Sequence, residues 1–255
     1  MNVLVCVKRV PMVGARVTVT PDAQEIDTHL LGFTISPHEE CAVEEAVRLI
    51  ETHAGTVSVL TLGPPEAIEQ LRDAAAIGAG RLVLLETDGR EWGPMATARA
   101  VVEAVRADEA ANGAYELILF GNEAADTGDY QVAIRVAHAL GRPCATGIKH
   151  LEVAGPALRA RREFRGGDEL FELGLPAVVS VKEGINLPRY PSLPGRMRAK
   201  KAPVEQSVPK WSGDPVRKQA LRVPVVERRR AEILGTGVDA VPALVELLAE
   251  LGVLP

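Results

Sequence analysis

Four short apolar runs rich in β-branched residues, at 3–7, 56–62, 82–85 and 116–120, alternate with segments whose apolar residues recur at steps of three and four. Strands that alternate with helices of moderate length form βα units, and these build a mostly parallel sheet. The helices are expected at 37–53, 65–77, 94–110 and 129–140; in the first, Val43, Ala46, Val47 and Ile50 make one stripe. The pattern predicts an α/β fold with a doubly wound, mostly parallel sheet. After Pro143 the pattern changes to extended runs at 148–153, 158–164, 169–173 and 177–181, with Gly166 and Gly167 as a turn. This is expected to be a hairpin-containing edge, or a return to the sheet.

At about 150 residues per domain, 255 residues correspond to about 1.7 domains. The net charge of −5 hides an asymmetry. Residues 189–230 hold twelve Lys and Arg against three Asp and Glu, a surplus of +9 that leaves −14 on the rest. Eight of the eighteen prolines fall between Pro176 and Pro224, so a boundary is placed near residue 185. The expected organisation is an α/β domain at 1–185, a proline-punctuated basic segment at 186–202 and an arm at 203–255. The arm ends in a helix over 238–251, with a stripe of Val241, Leu244, Val245, Leu248 and Leu251 closed by Gly252. Residues 185–235 cannot bury a core alone. Both a disordered linker and an ordered arm lying on another protein fit them.

Nine Phe, Trp and Tyr in the whole chain leave burial to Val, Leu, Ile and Ala, and disfavour single-stranded nucleic-acid binding by stacked rings. Cys6, Cys41 and Cys144 show neither metal spacing nor a disulfide frame. The first apolar run is only five residues long before Lys8 and Arg9, too short for a secretory segment or a span. The expectation is a cytoplasmic chain without membrane insertion. Arg189, Arg196, Arg198, Lys200, Lys201, Arg228, Arg229 and Arg230 invite a nucleic-acid reading. A recognised nucleic-acid module is lacking and the −14 remainder repels a polyanion, so no nucleic-acid partner is expected.

Two motifs carry candidate chemistry. Ser36, Pro37, His38 and Glu39 place Ser at an N-cap, Pro at N1 and Glu at N3, a capping box at a helix start that favours anions. Gly121, Asn122, Glu123, Ala124, Ala125, Asp126, Thr127, Gly128, Asp129, Tyr130, Gln131 and Val132 run from a strand into a helix. In an open parallel sheet such loops lie at the carboxyl edge, where ligands sit. Glycines for close approach, polar groups for a ribose and a helix start for a phosphate suit a nucleotide. Taken singly, plain capping explains the first motif and a solvated acidic loop the second. Asp126 and Asp129 lack a third hard ligand, so no metal is expected. Ser36 and His38, two apart, make no catalytic triad, and no catalytic residues are assigned.

With these residues in view, the chain resembles the electron transfer flavoprotein beta subunits from residue 3 to about 202. The likeness begins with Val5, Cys6, Val7, Lys8, Arg9 and Val10, and continues through Ser36 and Pro37 into Glu40, Cys41, Ala42, Val43, Glu44, Glu45 and Ala46. It takes in 121–131, Arg162, Glu163, Gly166, Gly167 and 175–179. Its most specific piece is Asn186, Leu187, Pro188, Arg189, Tyr190, Pro191, Ser192, Leu193 and Pro194, followed by Met197 and 199–201. Departures from the family pattern stand at Val13, Ser36 and His38.

The resemblance implies a heterodimer whose alpha subunit holds most of one FAD, while this chain binds AMP structurally in a Rossmann-like domain. It carries nucleotide contacts to Cys6, Ser36, Pro37, His38, Glu39, Leu62 and Gly121 through Val132. It makes Leu193, with Tyr190, Pro191 and Pro194, a recognition loop for acyl-CoA dehydrogenases and similar dehydrogenases, and it puts Glu163 near the flavin domain. It implies an electron carrier that passes electrons to a membrane quinone reductase, not an enzyme in itself. Two alternatives remain: a bifurcating flavoprotein with a second FAD in place of AMP, and a free-standing nucleotide-binding regulator resembling universal stress proteins.

Overall fold

In the computed structural model, residues 1–12, 17–224 and 233–254 are described; Val13 and the run Arg228 to Arg230 lie outside them. The elements are β1 (Asn2–Val7), β2 (Val10–Pro11), β3 (Phe33–Thr34), α1 (Pro37–His53), β4 (Thr56–Gly63), α2 (Ile68–Ile77), β5 (Arg81–Glu86), α3 (Pro94–Asn112), β6 (Leu117–Gly121) and α4 (Val132–Leu140). There follow β7 (Cys144–Ile148), β8 (His150–Ala154), β9 (Ala157–Phe164), β10 (Gly167–Gly174), β11 (Ala177–Val181), α5 (Leu193–Lys201), β12 (Val204–Ser207) and α6 (Val241–Glu250).

Seven strands form the central sheet in the order β12-β5-β4-β1-β6-β11-β7, and every pairing in it is parallel. β1 shows why the runs are continuously apolar. Val3, Val5 and Val7 face one core with α1 and α2; Leu4 and Cys6 face the other with α3 and α4. A strand covered on both sides has no solvent face to alternate toward. From β1 the chain winds outward through β4 and β5, then crosses back to β6 on the other side of β1. This reversal opens a crevice at the carboxyl ends of β1 and β6.

The run at 148–153 divides between two sheets. Ile148 ends β7 in the parallel sheet, while the Lys149 N–H turns to the Arg161 carbonyl at 2.8 Å and His150 starts β8 of a three-stranded antiparallel sheet, β10-β9-β8. Its β9–β10 turn is centred on Arg165 and Gly166, both at positive φ, and Gly167 already pairs with Phe164.

The central sheet also extends past residue 185. β12 adds a parallel edge beside β5, with Glu205 clamped to Arg81. Residues 211–221 then run along this chain's own domain. Asp214 Oδ2 accepts the Met95 and Ala96 N–H groups at 3.0 and 3.1 Å, capping α3 from a distant part of the chain, and the Leu221 N–H donates to the Ala23 carbonyl at 2.7 Å. The expected arm is thus in two parts, one fastened to the domain and one, α6, without a buried residue.

Candidate functional site

α1 starts as its sequence requires. Ser36 Oγ accepts the Glu39 N–H at 3.3 Å, and Glu39 Oε2 accepts the Ser36 N–H at 3.0 Å, completing the box. The second carboxylate oxygen of Glu39 accepts the Lys8 N–H at 3.0 Å, so the helix start is tied to the chain leaving β1. Gly121, at the end of β6, lies so close that a Cβ there would sit 2.7 Å from Glu39 Cγ and 3.2 Å from His38 Cβ. Burial, opposed by the two N–H donors and by Lys8, raises the Glu39 carboxyl to about 7. Cys6 is buried at the end of β1; burial first, and Glu39 second, push its thiol well up.

The loop after β6 is fastened at its start through Asn122. The Asn122 N–H donates to the Val181 carbonyl at 2.9 Å, and Ser180 Oγ donates to Asn122 Oδ1 at 3.2 Å. Inside it, the Ala124 N–H reaches the Asp129 carbonyl at 3.0 Å, the Gly128 N–H reaches the Ala124 carbonyl at 2.7 Å, and Lys8 Nζ pairs with Asp126 at 2.7 Å. The Tyr130 hydroxyl binds Glu123 and, with His38, holds that carboxyl below its ordinary range.

Of the four crossover helices, α1 is capped by its own box and α3 by Asp214, while α2 runs on from a 3-10 turn at Pro65–Ala67 with no side-chain cap. α4 has no side-chain cap; Gln131, which precedes it, turns its amide oxygen to Arg135 at 2.6 Å instead. The first N–H groups of α4 are therefore left for an external acceptor, and a phosphate is a natural one. Glu123, Asp126 and Asp129 stand in the loop that leads into this start, which disfavours a polyphosphate but offers acceptors to ribose hydroxyls and an adenine amino group.

The structure thus brings Cys6, Ser36 through Glu39 and Gly121 through Val132 to one edge of the sheet. Leu62 stands one strand away on β4, packed among the residues of the α3 and α4 side. Glu163, exposed on β9, lies 3.8 Å from Lys149 and outside the crevice. Tyr190 and Leu193 are 85% and 73% exposed. Beneath them Arg189 binds Glu44 at 2.9 Å and Glu51 at 2.6 Å, which gives the buried Glu44 a cationic partner. α5 is pressed on α2 so tightly that a Cβ on Gly195 would lie 2.3 Å from the Ala76 carbonyl oxygen. Leu193 is held out, not folded under.

The family model for the electron transfer flavoprotein domain matches residues 25–210. The chain belongs to the electron transfer flavoprotein family. It is 37% identical over 208 residues to the electron transfer flavoprotein subunit beta of Bacillus subtilis, covering 81% of this chain and 78% of that one. It is 33% identical over 256 residues to the human electron transfer flavoprotein subunit beta, covering 99% and 98%. As a member of this family it is a subunit of an electron transfer flavoprotein, an electron carrier by name. Among the described residues no helix is long and apolar enough to cross a membrane.

Lys8 and Arg189 were visible in the sequence only as parts of motifs. Their roles come from partners 118 and 145 positions away, Asp126 and Glu44, which local spacing cannot indicate.

Proposed function

We propose that this chain is the beta subunit of a heterodimeric, cytoplasmic electron transfer flavoprotein. It binds AMP in the crevice between α1 and α4 and helps shelter an FAD held mainly by the alpha subunit. It docks to acyl-CoA and similar dehydrogenases, and the electrons pass on to a membrane quinone reductase. The observation that carries the reading is the uncapped start of α4 beside a self-capped α1 at the topological switch point of a parallel sheet. AMP would place its phosphate at the N–H groups of α4 and its ribose against the carboxylates of the 122–130 loop. FAD, when bound, supplies the redox chemistry, and this chain shapes part of its surroundings, with Glu163 on the flavin side. α6, apolar and unburied, packs on the alpha subunit.

Co-expression with an alpha subunit, denaturation of the purified complex and quantification of the released nucleotides test this reading. One FAD and one AMP are expected. Two FAD would indicate the bifurcating class, and a flavin-free monomer that binds ATP would sink both. Leu193→Ala tests the docking role. Losing most of a buried leucine costs about 1.5 to 3 kcal/mol, so the KM of a dehydrogenase for this carrier should rise roughly tenfold or more with flavin content unchanged. FAD loss in that variant would make the segment structural.

A further inference from the structure

α1 serves two structures at once. Its first turn closes the crevice, and farther along its outer face holds the start of the docking segment. There the Asn186 side-chain amide donates to the Cys41 carbonyl at 3.0 Å and to Glu45 at 2.8 Å, and Arg189 grips Glu44. His38 stands between the two. Its Nδ1 accepts the Glu183 N–H at 2.7 Å, and its Nε2 lies 3.5 Å from Glu123 Oε1. A ring nitrogen that accepts an N–H carries no proton, so this hydrogen bond assigns the Nε2–H tautomer and leaves the single ring proton on the nitrogen nearer Glu123. Glu123 belongs to the loop that would hold the nucleotide. Glu183 belongs to the turn that leads from β11 into the docking segment. The backbone tie between Asn122 and Val181 stops short of that turn, and the side chain of His38, only 17% exposed, spans the rest.

We propose that His38 is a positioning residue that couples the nucleotide loop to the docking segment, so that a nucleotide ordering the loop through Glu123 also orders the turn at Glu183. The coupling rests on the nucleotide reading of the crevice. It follows from the polarity of the ring: a nucleotide that fixes Glu123 fixes the Nε2–H, which orients Nδ1 toward the Glu183 N–H and steadies the chain that presents Tyr190 and Leu193.

Amide hydrogen exchange on the intact heterodimer, first freed of nucleotide and then saturated with AMP, separates the parts. In the wild type, the Glu183 amide should be protected without AMP, and AMP should slow exchange at 121–131 and by about fivefold more at 182–190, the effect of roughly one hydrogen bond. His38→Phe removes both contacts, so both the resting protection at Glu183 and its response to AMP should vanish. His38→Asn keeps an acceptor where Nδ1 stood but does not reach Glu123. Resting protection, and the slowing at 121–131 by AMP, should survive in it while the response at 182–190 is lost, a separation that neither a purely structural role nor loss of AMP binding would produce. The asparagine variant keeps the test decisive if the phenylalanine variant does not fold. An AMP response at 182–190 that persists in either variant, or that is missing from the wild type while 121–131 is protected, overturns the coupling and leaves the nucleotide site standing. No AMP-dependent protection at 121–131 removes the nucleotide reading, and the coupling falls with it.

Discussion

Glu39 joins three stretches of chain that are far apart in sequence: it accepts N–H groups from Lys8 and Ser36 and packs against Gly121. Burial lifts its carboxyl from an ordinary value of 4.5 to about 7. Between those values the folded chain keeps a proton that the unfolded chain gives up. Stability from this group is therefore greatest at the acid end of the window and declines as pH rises through it, by at most roughly 3 kcal/mol. We expect Glu39→Gln to flatten that decline. Denaturant unfolding of wild type and variant at about pH 5 and pH 8 checks it, and an equal pH dependence in both would acquit Glu39. At this scale the capping box was legible, because its partners are three residues apart. The Lys8–Asp126 and Arg189–Glu44 pairs were not, because a charge in a motif looks the same whether it meets water or a partner.

α1 and the other three crossover helices form where their periodicity predicts, since each needs only one apolar face toward the sheet. α5 and β12 carry no such signal. α5 buries only Gly195 and Ala199, and β12 is a four-residue edge whose side chains are mostly exposed. The run 148–153 carries apolar residues on either side of the change, Ile148 before it and Leu151 and Val153 after it, so period alone cannot show that it changes sheets at Lys149. α3 illustrates help from outside an element: it begins at Gly93 without a cap of its own and borrows Asp214. Asp214→Ala should cost about 1 kcal/mol, the usual worth of an N-cap, and should make residues 208–221 more open to proteolysis. Unchanged stability and unchanged cleavage would mean that β12 alone holds that stretch.

Across the whole molecule, α6 is the piece the domain does not use. It packs on the short 3-10 turn Gly237–Ala240 just before it, and Val241, Leu244 and Val245 stay about half exposed. A helix of this kind stabilises something only by burial against another surface. Removing residues 237–255 should leave the melting temperature of the isolated chain nearly unchanged while abolishing or greatly weakening assembly with the alpha subunit, as read by size-exclusion chromatography of the co-expressed pair. Assembly that survives the deletion would place the interface elsewhere. The sequence by itself determined the class of fold, the four sheet strands and four crossover helices of the first 140 residues, the two helix starts of the crevice and the family, because each depends on local periodicity, local capping or a run of neighbouring residues. Tertiary structure alone decided that residues 204–221 belong to the domain, that Asp214 closes α3 while α4 stays open, and that Leu193 is held outward over Arg189 and Glu44. Those outcomes rest on contacts between residues more than a hundred positions apart, whose energy depends on where the folded chain brings them together and not on their spacing along it.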